Sequence, residues 1–362
     1  DGDDAACLLY SSGTTGLPKG IPVSHRNLLA NAASLIEAWR FSSEDVLLHA
    51  LPIHHAHGLF VGLNCVFLVG ASLRWLPAFG ADAVVDSLPY STCFMGVPTY
   101  YTRLLDHPDF DAKRVRKIRV FISGSAPLQV EVFEAFEQRT GHRILERYGM
   151  SETGMNCSNP LAGERRPGSV GPPLPGVEVR IVDDAWRPLP AGNIGNLQVR
   201  GDNVLKGYWK LPEKTSEAFT DDGFFDTGDM AIVGDDSYVT IVGRTKDLVI
   251  TGGLNVYPQE LELVINQIDG VQESAVIGVP HPDFGEGLVA VVVAETSPSL
   301  NEECIVDALR KQVARFKVPK RVLFVAELPR NSMGKVQKNL LRDRYAELLI
   351  DGLSSQRSHV QE

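Results

Sequence analysis

Residues 119–153 read RVFISGSAPLQVEVFEAFEQRTGHRILERYGMSET. A short apolar run leads into a polar, glycine-bearing loop. An amphipathic stretch, VEVFEAFEQRTG, follows and stops on Gly141, and a second apolar run, RILERYG, comes next. Strand, helix and strand in so short a span predict one repeat of a layered α/β sheet. The same alternation extends towards the start of the chain, through ACLLYSS (6–12), a helix over HRNLLANAASLIEAW (25–39) and DVLLHALPI (45–53). In such sheets ligands collect where strands end. The segments SSGTTGLPKG (11–20), SGSAPL (123–128) and ERYGMSET (146–153) all fall there, so three polar loops are expected to face one crevice.

From about Pro167 the texture changes. GVEVRIVD, GNLQVRG, FFDTGDMAIV and YVTIVGR are short β segments broken by Gly and Pro, and they predict a small antiparallel barrel or sheet over residues 167–247. Beyond Asp247 a new alternation begins. It has helices over PQELELVINQI and EECIVDALRKQVARF and strands at ESAVIGV, LVAVVVAE and RVLFVAE. Residues 1–247 and 248–362 therefore read as two domains, each able to carry its own core.

The 362 residues carry a formal charge of -10, which argues against a general nucleic-acid or membrane-surface binder, since both need a basic face. Five scattered cysteines without a CxxC pair suit a reducing compartment and small buried apolar positions. No run approaches the roughly 20 apolar residues of a membrane span. The chain opens on DGDDAACLLY without a Met, so localisation is weakly constrained. A cytoplasmic site is expected, with a mitochondrial one open.

The loop at 11–20 fails the GxxxxGK[ST] spacing of an NTPase phosphate loop, because Gly13 is followed by Thr14, Thr15 and Gly16, and Lys19 by Gly20. Its physics is still that of an anion nest: consecutive backbone N–H groups, added hydroxyls and a mobile lysine charge. Neither ISGSA nor GMSET is the GxSxG elbow of a serine hydrolase. His54, His55 and His57 lack an accompanying Cys or carboxylate cluster, which disfavours a metal site.

YSSGTTGLPKG, ERYGMSET, FFDTGD, GRTKD and PRNSMGKVQK, in that order, resemble the core motifs of the adenylate-forming superfamily. The resemblance implies an enzyme that joins a carboxylate to the α-phosphate of ATP, releases pyrophosphate and passes the acyl group to a thiol, usually that of CoA. By matched position, Ser11, Ser12, Gly13, Thr14, Thr15, Gly16 and Lys19 would hold the β and γ phosphates, with Thr14 counted among the catalytic residues. Tyr148 and Gly149 would lie at adenine, and Glu152 would coordinate Mg²⁺. Gly124, Ser125 and Ala126 would line the adenine edge and the acyl site. Asp229 and Arg244 would meet the ribose or phosphate, and Asp247 would be the hinge between the two half-reactions. Lys335 would stand between the attacking carboxylate and the α-phosphate. Gly252 and Gly253 would form the CoA channel, and His55 would gate the acyl pocket, though the family's usual aromatic residue is replaced by His54.

Arg103, in GVPTYYTRLL, and Arg147, in LERYGMSET, occupy apolar surroundings beside the implied acyl pocket. An unpaired buried arginine costs roughly 3–5 kcal/mol, so a second carboxylate on the substrate is expected to satisfy the pair. A closer resemblance, to malonyl-CoA synthetases, agrees: it implies that Arg103, Ser125 and Arg147 hold the distal carboxylate of malonate or methylmalonate. The small-molecule partners expected are therefore malonate, ATP and CoA; the oligomeric state is left open. The alternatives are a short- or medium-chain acyl-CoA synthetase and an inactive nucleotide-binding fragment. The last arises because the family carries a long segment before the phosphate loop, so the first domain's sheet is expected to be incomplete and the isolated chain to self-associate.

Overall fold

A computed structural model describes residues 1–10, 18–294, 300–331 and 334–350. The chain divides into two compact units, Asp1–Thr227 with Ala231–Ile241, and Gly228–Met230 with Val242–Glu362.

The first unit opens with β1 (Ala5–Tyr10) and β2 (Gly20–Ser24), followed by α1 (His25–Trp39), β3 (Val46–His49), α2 (Leu63–Val69) and β4 (Ser72–Trp75). Next come α3 (Ala81–Ser87), β5 (Cys93–Gly96), α4 (Pro98–Leu105), β6 (Val120–Ser123), α5 (Val130–Thr140), β7 (Leu145–Met150) and β8 (Gly154–Ser158). The mixed α/β character expected from the alternation is present. Strands β4-β3-β5-β6-β7-β8 form one six-stranded sheet, parallel throughout except for the antiparallel β7–β8 edge.

The registers are set by apolar strand centres. Phe94 of β5 pairs with Phe121 of β6, and both are fully buried with Tyr101 and Phe136 in an edge-to-face aromatic cluster. That cluster fixes α4 and α5 on the sheet and so fixes the loops that leave the carboxyl ends of β5 and β6. Helix α1 starts sharply because Ser24 and Asn27 form a reciprocal cap: the Asn27 N–H donates to Ser24 Oγ and the Ser24 N–H to Asn27 Oδ1.

The first strand departs from the sequence expectation. β1 lies outside the parallel sheet and pairs antiparallel with β2, Tyr10 opposite Gly20, in a separate two-stranded ribbon. The lysine-bearing connection is thus a hairpin link instead of a strand-to-helix crossover. The physical reason is the immediate return of the chain in GIPVS, which offers β1 a partner before any helix can form.

The β-rich stretch is a sheet: β9 (Val177–Val182), β10 (Ile194–Gly201), β11 (Phe225–Val233) and β12 (Val239–Arg244) stand in the order β12-β11-β10-β9. A short helix α6 (Pro212–Ala218) lies between β10 and β11 in sequence.

The second unit contains β13 (Val249–Thr251), β14 (Leu254–Val256), α7 (Pro258–Asn266), β15 (Val271–His281), β16 (Gly285–Ala294), α8 (Glu302–Gln312), β17 (Arg321–Val325) and α9 (Lys338–Arg344). The long hairpin β15–β16 alternates its side chains between two cores. Val276, Leu288, Ala290 and Val292 pack with α7 and α8, while Ala275, Ile277, Val289 and Val291 pack with Leu341 of α9.

Candidate active site

Connections leave the carboxyl ends of the first unit's parallel strands at 50–56 after β3, 76–80 after β4, Val97 after β5, 124–129 after β6 and 151–153 after β7. This is where an α/β sheet gathers ligands. Ser11, Ser12, Gly13, Thr14, Thr15 and Gly16 lie outside the described residues. Lys19 is described, with its Nζ 4.0 Å from the centre of the Tyr208 ring.

The most unusual group is Arg147. It sits on β7, is 4 % exposed, and its Nε and Nη2 have no hydrogen-bond partner among the described residues. Burial draws its titration down to about 10, with no carboxylate acting on it to oppose the shift, so at neutral pH a charge stands in the interior. Room for it comes from Gly124, where a Cβ would fall 2.4 Å from the guanidinium Cζ. Gly124→Ala is accordingly expected to displace the guanidinium, which a crystal structure of the variant checks; an unmoved Arg147 would contradict it.

Ser125, beside Gly124, holds a left-handed backbone (φ 71°) that a side chain seldom adopts. Its Oγ lies 3.1 Å from His57 Nδ1. His57 is 2 % exposed, burial and then Arg147 push its titration well down, and its Nε2 is without a partner among the described residues. It begins a π-helical turn (His57–Gly62) that is wedged against the preceding loop, since a Cβ on Gly58 would meet the Pro52 carbonyl at 2.2 Å. His55, expected at the acyl pocket, is half-buried, and burial, then His54 and Arg147, lower its titration. Sequence reading placed His57 only in a rejected metal triad. The π turn is what directs it inward, and its apolar sequence, HGLFVG, shows no sign of that register.

Arg103, expected in apolar surroundings beside Arg147, is exposed on α4, where Tyr101 and Leu104 are the fully buried positions.

Glu152 follows β7 and is 8 % exposed, with Tyr208 Oη donating to its Oε1 at 3.4 Å. Among the described residues no group of three His, Cys, Asp or Glu could cage a metal. One buried hard-oxygen carboxylate fits Mg²⁺, which takes one or two carboxylates and completes its shell with phosphate oxygens and water. Tyr148 is half-buried on the same strand, and Gly149 is required by a close approach, a Cβ there falling 2.1 Å from the Gly154 carbonyl. Ala126 is half-buried in the loop after β6.

In the second unit, Arg244 Nε donates to Asp229 Oδ1 at 2.9 Å, and Asp229 is 3 % exposed. Asp247 accepts from Arg342 of α9 at 2.6 Å. Lys335 is exposed as a residue, yet loss of solvent around its ammonium, and then Arg244, hold its titration down to about 8 against the opposing pull of Asp229. Gly252 and Gly253 form the two-residue turn of the β13–β14 hairpin, both with positive φ (57° and 80°). That turn alone accounts for glycine at both positions.

The sequence model for the AMP-binding enzyme matches residues 1–209, more than half of the chain, and that for the AMP-binding enzyme C-terminal domain matches residues 260–335. The chain belongs to the AMP-binding enzyme family. Among its relatives in that family is the mitochondrial malonate–CoA ligase ACSF3 of Mus musculus, 42 % identical over 380 residues that cover 95 % of this chain and 65 % of that protein. The malonate–CoA ligase of Arabidopsis thaliana is 38 % identical, over 94 % of this chain and 60 % of the relative. The solved structure of ATP-bound MatB from Rhodopseudomonas palustris is 52 % identical and superposes with a TM-score of 0.95, over 96 % of this chain and 70 % of that one. The AMP-binding chain described here thus spans 60–65 % of the length of these two curated relatives. No helix among its described residues is long and apolar enough to cross a membrane.

Proposed function

We infer that this AMP-binding enzyme ligates malonate to CoA at the expense of ATP, through a malonyl-AMP intermediate. The observation that carries the substrate is the buried, uncompensated Arg147 guanidinium beside Ser125 and His57. A fatty-acyl or acetyl chain would leave that charge unanswered at a cost of several kcal/mol, whereas a distal carboxylate meets it with charge-assisted hydrogen bonds. Arg103, Ser125 and Arg147 hold the distal carboxylate in this reading. The malonate–CoA ligase relatives support the same substrate.

The remaining roles follow from chemistry. One carboxylate oxygen of malonate attacks the α-phosphorus while the bond to pyrophosphate breaks. Lys335 supplies the cation that offsets repulsion between the two anions, and Lys19 with residues 11–16 receives the departing charge. Glu152 holds Mg²⁺, which supplies charge neutralisation at the phosphates when bound. Tyr148 with Gly149 and Ala126 borders adenine, and Asp229 with Arg244 receives the ribose. The CoA thiol then attacks the acyl carbon, and AMP leaves. Gly252 and Gly253 are assigned to the CoA side and Asp247 to the pivot between half-reactions.

Mass spectrometry of acyl-AMP and acyl-CoA after incubation with Mg·ATP, CoA and equimolar malonate, methylmalonate, acetate and octanoate tests the reading. Malonyl products are expected to dominate over acetyl and octanoyl ones. Dominant acetyl or octanoyl products would overturn the substrate, and absence of every acyl-AMP and acyl-CoA would overturn the activity.

A further inference from the structure

The segment following β10 is pinned at several points. Leu205 N–H donates to the Glu152 carbonyl at 2.9 Å, Asn203 Nδ2 to the Thr153 carbonyl at 2.7 Å, and Trp209 N–H to the Gly20 carbonyl at 2.9 Å. Tyr208 N–H donates to Thr215 Oγ1 at 2.9 Å, and a Cβ on Gly207 would stand 2.7 Å from the Thr215 methyl. This strap joins the base of the lysine-bearing connection to the turn that carries Glu152. Its one aromatic side chain turned inward, Tyr208, is 8 % exposed. The face of its ring takes the Lys19 ammonium and its hydroxyl donates to Glu152.

We propose that Tyr208 is a positioning residue that sets Glu152 for the metal and Lys19 for the phosphates at the same time; this rests on the reading of Glu152 as the metal carboxylate. The two charged groups have opposite sign, come from distant parts of the sequence and are both needed as ions. A tyrosine serves both without neutralising either. Its π face attracts a cation through the ring quadrupole, and its O–H donates to a carboxylate without neutralising it. No local cue marks this residue, because LKGYWK lies between turn signals and matches no chemical pattern of its own.

The test separates metal from nucleotide. Mn²⁺ retention is measured by electron paramagnetic resonance in the presence of a non-hydrolysable ATP analogue, and analogue affinity without metal is measured by calorimetry. Tyr208→Phe keeps the ring and loses the donor, so Mn²⁺ retention is expected to weaken about 3- to 10-fold with metal-free analogue affinity unchanged. Tyr208→Leu also loses the ring, and it is expected to weaken the metal-free affinity as well. Glu152→Gln is the reference, with a larger loss of Mn²⁺. Full Mn²⁺ retention in Tyr208→Phe beside a loss in Glu152→Gln would overturn the positioning role and leave the metal carboxylate standing. Full retention in both would overturn the reading on which the role rests. A structural role alone would shift both affinities together in Tyr208→Phe, and that outcome also overturns the proposal.

Discussion

Replacing Arg147 with methionine is expected to lower kcat/KM for malonate by about 10²- to 5 × 10³-fold, to leave KM for ATP within about 2-fold, and to raise the melting temperature. The three effects have one cause. In the empty chain the guanidinium is 4 % exposed with two nitrogens unanswered among the described residues, so folding carries its desolvation without return. Methionine fills similar volume without a charge, and such replacements of buried ionic groups are often neutral or stabilising. The loss appears when substrate binds, because the distal carboxylate then enters an interior with no cation. Roughly 3–5 kcal/mol is the usual cost of stranding one partner of a buried pair, which converts to the fold-change above. Acid competition and a thermal melt measure both sides. An unchanged preference for malonate, or a fall of several degrees in the melt, would assign Arg147 to structure instead.

Lys335→Ala is expected to slow adenylate formation by about 10³-fold while thioester formation from supplied malonyl-AMP stays within about 3-fold. Only the first half-reaction brings two anions together, and only there is a cation between them worth most in the transition state. Equal loss in both half-reactions would remove the assigned role. The titration of Lys335 adds a pH signature. Its ammonium is held down to about 8, chiefly by loss of solvent at its tip, so the cation is complete well below pH 8 and is lost as the pH rises through that value. Adenylation kcat/KM, which reports the free enzyme, is expected to fall across that limb. Lys335→Arg should flatten the limb, whatever its absolute rate, because a guanidinium does not titrate there.

How far the sequence carries this molecule depends on whether the deciding contact is local. The run from β6 to β7 was legible because apolar strand, capped helix and apolar strand each announce themselves within a few residues. The β1–β2 ribbon was not, since nothing in ACLLYSS says whether its ladder partner is the parallel sheet or the strand just ahead. The two arginines divide in the same way. The exposure of Arg103 was recoverable, because Tyr101 and Leu104 mark the buried stripe of α4 and leave Thr102 and Arg103 off it. The burial of Arg147 was anticipated, but the absence of a facing carboxylate among the described residues required the tertiary structure. His57 was misfiled for a subtler reason: the π turn changes the angular spacing on which any helical reading depends.

The β13–β14 hairpin bears on how these sequences evolve. Its primed turn holds both positions at positive φ, a conformation that glycine adopts without strain. Selection for a well-made hairpin therefore preserves the pair whichever nucleophile finally receives the acyl group. A lineage that exchanged its thiol acceptor for an amine would leave no scar at Gly252 or Gly253, and the record of that exchange must be sought in side chains the turn does not oblige.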